Sequence, residues 1–208
     1  MTNTIRRALA GALGAIAVLA AAPSAHAGVL VASAQDCQGQ TLEQPFLRWL
    51  DPARYVLAPG GTFEAGAAGW DLSGGAAVAD GNEPFYVHAA GERASLALPA
   101  GSSATSPAMC VGIEHPTLRF VARNTGSLLG ALRVDVRFED ALGNTRTLAI
   151  GRVLGQSRWA PTLPMPVLAN LLALLPGEKT PVEFRFTPEG AGSSWRIDDV
   201  YVDPYCKG

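Results

Sequence analysis

The stretch that decides the fold is "LRVDVRF", residues 132–138, in which apolar and charged residues alternate strictly. Successive side chains of a strand point to opposite faces, so this alternation predicts a strand with one buried and one polar face. The turn-forming residues "ALGN", 141–144, and a second apolar run follow at once. This order predicts a β-hairpin over residues 133–151.

The same period of two recurs in "SLAL" (95–98), "TLRFVAR" (117–123) and "VEFRF" (182–186). Stretches rich in Gly, Pro, Asn and Asp separate these segments, as turns would. Short strands at this spacing are typical of a sandwich of two antiparallel sheets. The sequence therefore predicts an all-β fold, an antiparallel jelly-roll β-sandwich, over residues 58–208.

Residues 28–57 have a different pattern. "TLEQPFLRWLDPARY", 41–55, spaces its apolar residues as a helix does, and Pro52 should end that helix. We expect a short helical N-terminal extension that packs on the sandwich. A second apolar run, "VLANLLALL" at 167–175, fits a short helix or a buried strand equally well, because periodicity does not separate them.

The first 27 residues are typical of a secretory signal peptide. Arg6 and Arg7 precede an apolar run of 15 residues, and "AHA" supplies a small-residue cleavage pattern before Gly28. We expect a secreted, extracellular protein without a membrane anchor. The formal net charge of −2 becomes −4 without the two arginines, and no basic block follows, so nucleic acid is not an expected partner.

The three cysteines are Cys37, Cys110 and Cys206. A disulfide is common in exported proteins, and three pairings are possible. We favour Cys37–Cys110, because Cys206 lies in a terminal tail.

Familiar enzyme signatures are missing from the sequence, which contains no G-x-S-x-G, H-E-x-x-H, C-x-x-C or P-loop motif. Outside the signal peptide, His88 and His115 are the histidines, and neither has a candidate nucleophile beside it. A Ser-His-Asp triad or a pair of catalytic carboxylates stays possible, because such partners meet only in space. A protein without catalytic activity is the favoured interpretation.

In "WRIDDVYV", residues 195–202, the apolar phase reverses at two adjacent aspartates. Trp195 and Ile197 share one parity, whereas Val200 and Val202 share the other. One extra residue in a β-bulge restores the phase, so we predict a bulge at Asp198-Asp199. Two carboxylates there require a counter-charge, either an arginine or a hard cation.

The combination of a first strand "GGTFE" (60–64), Trp70 and the last strand "WRIDDVYV" resembles the galactose-binding-like jelly rolls. These include the carbohydrate-binding modules of families four, nine and twenty-two, in which a structural calcium commonly joins the first and last strands. The resemblance implies that calcium is held by Glu64, Asp198, Asp199 and the carbonyl of Thr62. Without a metal, Glu64 would be a solvated carboxylate and Asp198 an acceptor for backbone N–H groups.

The resemblance also implies a non-catalytic, carbohydrate-binding function. Aromatic platforms and polar groups hold sugars, and Trp159 is the best candidate for an exposed ring, since Trp70 and Trp195 match buried positions. The polar face of the middle strands would supply hydrogen bonds from Arg119, Arg133, Asp135, Arg137 and Arg185. The alternatives are a solvent-exposed ladder of salt bridges and a structural or protein-interaction domain. We expect a monomer whose partner is a carbohydrate or another cell-envelope component.

Overall fold

The computed structural model describes residues 40–112, 116–140, 142–167 and 180–204. This part of the chain contains one 3-10 helix, Leu47–Trp49, and thirteen strands. The strands are β1 (Val56–Leu57), β2 (Asp71–Ser73), β3 (Ala77–Asp80), β4 (Ala94–Leu98), β5 (Ser103–Thr105), β6 (Met109–Val111), β7 (Thr117–Asn124), β8 (Ala131–Glu139), β9 (Thr145–Leu154), β10 (Ala160–Pro161), β11 (Met165–Pro166), β12 (Thr180–Glu189) and β13 (Trp195–Asp203). Over the same residues, no helix is both long and apolar enough to cross a membrane.

Two antiparallel sheets build the sandwich, which confirms the predicted fold class. Sheet 1 has the order β10-β7-β13-β4-β3, with β1 also paired to β13 and β11 to β7. Sheet 2 has the order β2-β5-β12-β8-β9, with β6 also paired to β12. The last strand, β13, therefore lies inside sheet 1, and the predicted hairpin of β8 and β9 forms one side of sheet 2.

The core lies between the sheets and is filled by the apolar residues of the alternating stretches. Val134 and Val136 of β8 pack with Phe184 and Phe186 of β12, and all four are fully buried. Trp70 and Trp195 belong to the same core, as expected. Because these side chains take every second position, the intervening charged residues must lie on the outer faces.

The N-terminal extension packs on the outer face of sheet 1. Phe46 makes edge-to-face contacts with Tyr55 and with Tyr201 of β13, at ring-centroid distances of 5.2 and 5.8 Å. Val121 of β7 completes this cluster. The helical part of the described extension is the single turn Leu47–Trp49, and residues 28–39 lie outside the described residues.

"GGTFE" does not form the expected first strand. Its backbone makes successive turns, with Gly61 N–H donating to Ala58 O and Phe63 N–H to Gly60 O. Gly60 and Phe63 have positive φ angles, 65° and 60°, which an extended strand does not allow. The segment nevertheless lies beside the last strand, because Val200 N–H donates to Gly61 O at 3.2 Å.

Candidate functional site

The last strand bulges where the sequence predicts it. Asp198 is opposite Val121 of β7, but the next registered pair is Tyr201 with Arg119. Asp199 has a φ of 48°, in the left-handed region that residues other than glycine seldom adopt. The extra residue lets Val200 point into the same core as the residues before the bulge.

Both aspartates of the bulge are fully buried. The Asp198 carboxylate accepts hydrogen bonds from Glu83 N–H at 3.2 Å and from Asp199 N–H at 3.0 Å. Among the described residues no donor reaches the two carboxylate oxygens of Asp199, and a proton shared with the Glu83 carboxylate would join these two side chains. Burial raises the pKa of Asp198 to about 8 and that of Asp199 to about 9. Since an ionised, unpartnered carboxylate is costly to bury, Asp199 requires a proton or a cation.

Two glutamates from one loop, Glu83 and Glu92, approach the bulge, and the sequence pattern predicts neither as part of this site. Negative charge on Glu83 and Glu92 contributes to the raised pKa values of both aspartates. The Glu83 carboxylate accepts hydrogen bonds from Phe85 N–H at 2.5 Å and Val87 N–H at 2.7 Å. The sequence does contain the acidic turn "DGNEP", 80–84, around Glu83. This pattern predicts a turn, but it does not predict which part of the sheet the loop contacts.

The other expected calcium ligands have different surroundings. Glu64 is exposed, and its carboxylate accepts hydrogen bonds from Arg93 N–H at 2.7 Å and Ala94 N–H at 2.6 Å. Thr62 follows the turn at Gly61, beside the last strand. Within the described ranges, no three or more His, Cys, Asp or Glu side chains converge as a metal-binding group. The oxygen atoms that fit a hard cation are those of Asp199, with Asp198 next to it.

Four of the predicted ligand-binding residues lie together on the outer face of sheet 2. Cross-strand pairing places Arg185 of β12 opposite Asp135 of β8, and Glu183 opposite Arg137. Arg133 lies two positions before Asp135 on the same side of β8. We call this surface the arginine face: Arg133, Asp135, Arg137, Glu183 and Arg185.

Salt bridges fix most of the arginine face. Arg137 pairs with Glu183 at 2.8 Å. Arg133 pairs with Asp135 at 3.0 Å and with Glu189 at 2.9 Å. Burial is the largest influence on Glu183, and it raises the pKa of that carboxyl even though Arg137 opposes the shift. These contacts hold the side chains in place in the described structure.

Arg185 differs from its neighbours on the arginine face. It is exposed, and its guanidinium donates to the Ser103 hydroxyl at 3.1 Å. Ser103 in turn shares a hydrogen bond of 2.8 Å with the Ser73 hydroxyl. The face therefore has a hydroxyl-rich side over β5 and β2, next to its salt-bridged side over β8.

Arg119 and Trp159 do not belong to this face, and the expectation that Arg119 lines it is wrong. Arg119 lies in sheet 1, is 6% exposed, and is covered by the N-terminal extension. Its guanidinium donates to Thr162 O at 2.8 Å, forms an ion pair with Asp51, and lies 4.5 Å from the centre of the Phe46 ring. Trp159 is partly buried against the same aromatic cluster. Strand alternation identifies an outward residue, but it does not reveal which sheet holds the strand or what covers it.

Cys110 is buried, and its carbonyl accepts a hydrogen bond from the Gln40 side chain at 3.0 Å. Its predicted partner Cys37 lies outside the described residues, so the pairing stays a prediction.

No family model matches this chain, and no curated protein matches it. Among solved structures, the chain is similar to the CBM22-1 and GH10 modules of Clostridium thermocellum endo-1,4-β-D-xylanase 10B complexed with xylohexaose. The TM-score is 0.50 at 14% identity, over 71% of this chain and 28% of that one. This likeness shows a shared fold.

Two further structures match at lower TM-scores. The C-terminal family 22 carbohydrate-binding module of C. thermocellum Xyn10B gives 0.47 at 17% identity, over 71% of this chain and 92% of the module. The enzymatically active domain of bacteriophage CBA120 tailspike protein 4 gives 0.47 at 18% identity, over 69% of this chain. This chain spans 20% of the length of the tailspike structure.

Proposed function

We propose that this protein is a non-catalytic carbohydrate-binding protein of the cell exterior, with the sugar on the arginine face. The observation that carries the proposal is the convergence of Arg133, Asp135, Arg137 and Arg185 on one outer face of sheet 2. A protein of the same fold, the xylanase 10B module pair, is complexed with xylohexaose. The predicted signal peptide and disulfide are consistent with export.

The chemistry of the arginine face suits binding by hydrogen bonds. Arg185 presents a planar set of N–H donors, and the adjacent Ser103 and Ser73 hydroxyls both donate and accept. Salt bridges hold Arg133 and Arg137 in fixed orientations, which lowers the entropy lost when a ligand binds. Sugar hydroxyl groups would form hydrogen bonds with these donors and acceptors, and no covalent bond of the sugar would be cleaved.

We also propose that Asp198 and Asp199 hold a structural calcium ion, with backbone carbonyls completing its oxygen shell. The buried Asp199 carboxylate, which no donor among the described residues reaches, supports this part of the proposal, because calcium is coordinated by carboxylate oxygens. The ion would neutralise buried negative charge between β13 and the loop that carries Glu83. Its contribution is to stability and lies on sheet 1, away from the arginine face.

A glycan array tests the sugar-binding function, using folded protein loaded with calcium. Binding of a defined glycan, lost in Arg185→Ala but kept in Arg146→Ala, supports the proposal. Arg146 is a matched control, because its side chain is 60% exposed and forms a salt bridge with Asp140. It lies near the start of β9 and does not belong to the arginine face. If no glycan on the array binds, a protein-interaction domain is favoured instead. The salt-bridged side of the arginine face is compatible with that function.

A further inference from the structure

Two arginines face each other on adjacent strands of sheet 1. Arg123 of β7 is the registered partner of Arg196 of β13, so their side chains leave the sheet on the same side. Their neighbours Ala122 and Ile197 point into the core, which places both arginines on the outer face. Like charges directly opposite each other destabilise a strand pair. Such a pair therefore needs an explanation.

Neither guanidinium forms a salt bridge in the described part of the chain, although Asp80 and Asp198 carry charge near Arg196. The Arg123 guanidinium forms no hydrogen bond or salt bridge with the described residues, and it lies 5.3 Å from the centre of the Trp159 ring. One terminal nitrogen of Arg196 donates to the carbonyl oxygens of Ala79, Asp80 and Gly81 at 2.7–2.9 Å. The Nε atoms of both arginines are buried and have no acceptor.

The electrostatics of the pair are unfavourable without a further partner. Arg196 is directly opposite Arg123 in the strand register, so the two positive charges repel each other. The chain as a whole has a formal net charge of −2, so a basic composition does not account for the juxtaposition of the two arginines.

We propose that Arg123 and Arg196 form a binding site for an oxyanion, such as the carboxylate or sulfate group of an acidic sugar. Two guanidinium groups in one register supply the planar, paired N–H donors that oxyanions accept. Trp159 positions Arg123 by stacking against its guanidinium. This site lies on sheet 1 and is independent of the arginine face and of the proposed sugar-binding function.

Isothermal titration calorimetry of the full chain with sodium glucuronate, sodium sulfate and inorganic phosphate tests the proposal, with glucose as the neutral probe. We expect saturable binding of the anions that weakens as sodium chloride rises, and no heat with glucose. Arg123→Gln should lower the affinity at least about tenfold, the loss expected for a charge-assisted hydrogen bond. Arg146→Gln, which removes an equal charge from sheet 2, should bind as the wild type does.

Two comparisons refine the result. Glucuronate binding more tightly than sulfate and phosphate supports a sugar acid as the ligand, whereas equal affinities support a free oxyanion at the same site. The anions should also raise the Tm of the wild type and not that of Arg123→Gln. A cooperative melting transition of the variant shows that it is folded. Absence of heat with all three anions, or unchanged affinity in folded Arg123→Gln, overturns the proposal.

Discussion

The backbone N–H of Glu83 donates a hydrogen bond of 3.2 Å to the carboxylate of Asp198, although 115 positions separate the two residues. The bond joins the loop after β3 to the bulge in the last strand. The neighbouring Asp199 carboxylate is also fully buried, and no donor among the described residues reaches it. The stability of this junction should therefore depend on whatever neutralises Asp199.

Calcium should stabilise the wild-type protein, and Asp199→Asn should remove that effect. The side chain of Asn is nearly the same size but has no acidic proton, so the variant should lose the cation and also the cost of keeping a buried carboxyl protonated when no ion is bound. Differential scanning fluorimetry in calcium and in EDTA measures both effects. We expect calcium to raise the Tm of the wild type, and EDTA-treated Asp199→Asn to melt above EDTA-treated wild type.

The matched control is Asp140→Asn, which changes an acid in the turn between β8 and β9, far from the bulge. It should respond to calcium as the wild type does. Glu64→Gln is a separate comparison, because a Gln still accepts the N–H groups of Arg93 and Ala94. A lost calcium response in that variant would assign Glu64 to the ion, as the family resemblance implies. A wild-type Tm that is identical in calcium and EDTA argues against the cation site.

In EDTA, the free energy of unfolding should fall as pH rises from about 4 to about 9. The ordinary pKa of an aspartate is 3.8, whereas the folded protein holds Asp198 near 8 and Asp199 near 9. Between these values the folded state keeps protons that the unfolded state has released, so each pH unit costs about 1.4 kcal/mol per group at most. Glu83 and Glu92 face the pair and strengthen the effect.

Urea unfolding at several pH values in EDTA measures this slope, and Asp199→Asn should make it shallower because one titrating group is gone. Calcium should flatten the dependence in the wild type, since the ion binds the ionised carboxylates. A stability that rises with pH over this range in EDTA is incompatible with two protonated buried aspartates.

Arg119→Ala should destabilise the fold and leave sugar binding intact. Removing Arg119 leaves Asp51 partly buried without its cation, and breaking a buried ion pair in this way costs about 3–5 kcal/mol. The loosened element should be the N-terminal extension. Chemical denaturation and limited proteolysis measure these effects, with Arg54→Ala, at an exposed position of the same extension, as the control. Equal stability of the two variants would contradict the structural role of Arg119.

The sequence predicted those features that depend on the local strand pattern. Strict alternation located β7, β8 and β12, and the reversed apolar phase at Asp198 and Asp199 located the bulge. It did not predict how segments distant in sequence pack together. The outward position of Arg119 was correct, but the pattern contains no information that residues 43–57 cover it.

The loop residues around the bulge show the same limit. Glu83 donates its backbone N–H to Asp198, a bond that any residue other than proline could make. Its carboxylate accepts backbone hydrogen bonds within its own loop, so a glutamate at this position does not by itself indicate a contact with the bulge. "GGTFE" was expected to be the first strand because of the resemblance to the galactose-binding-like jelly rolls. Two residues with positive φ make it a series of turns instead.

Calorimetric titration of calcium-loaded protein with xylohexaose tests the central claim, sugar binding by the arginine face, most directly. We expect saturable binding that Arg185→Ala weakens about tenfold, because one charged donor to the ligand is lost, while Arg146→Ala leaves it unchanged. Should xylohexaose not bind, the glycan that scores highest on the array takes its place. Equal binding by folded Arg185→Ala and wild type, or the absence of any glycan ligand, would contradict the claim.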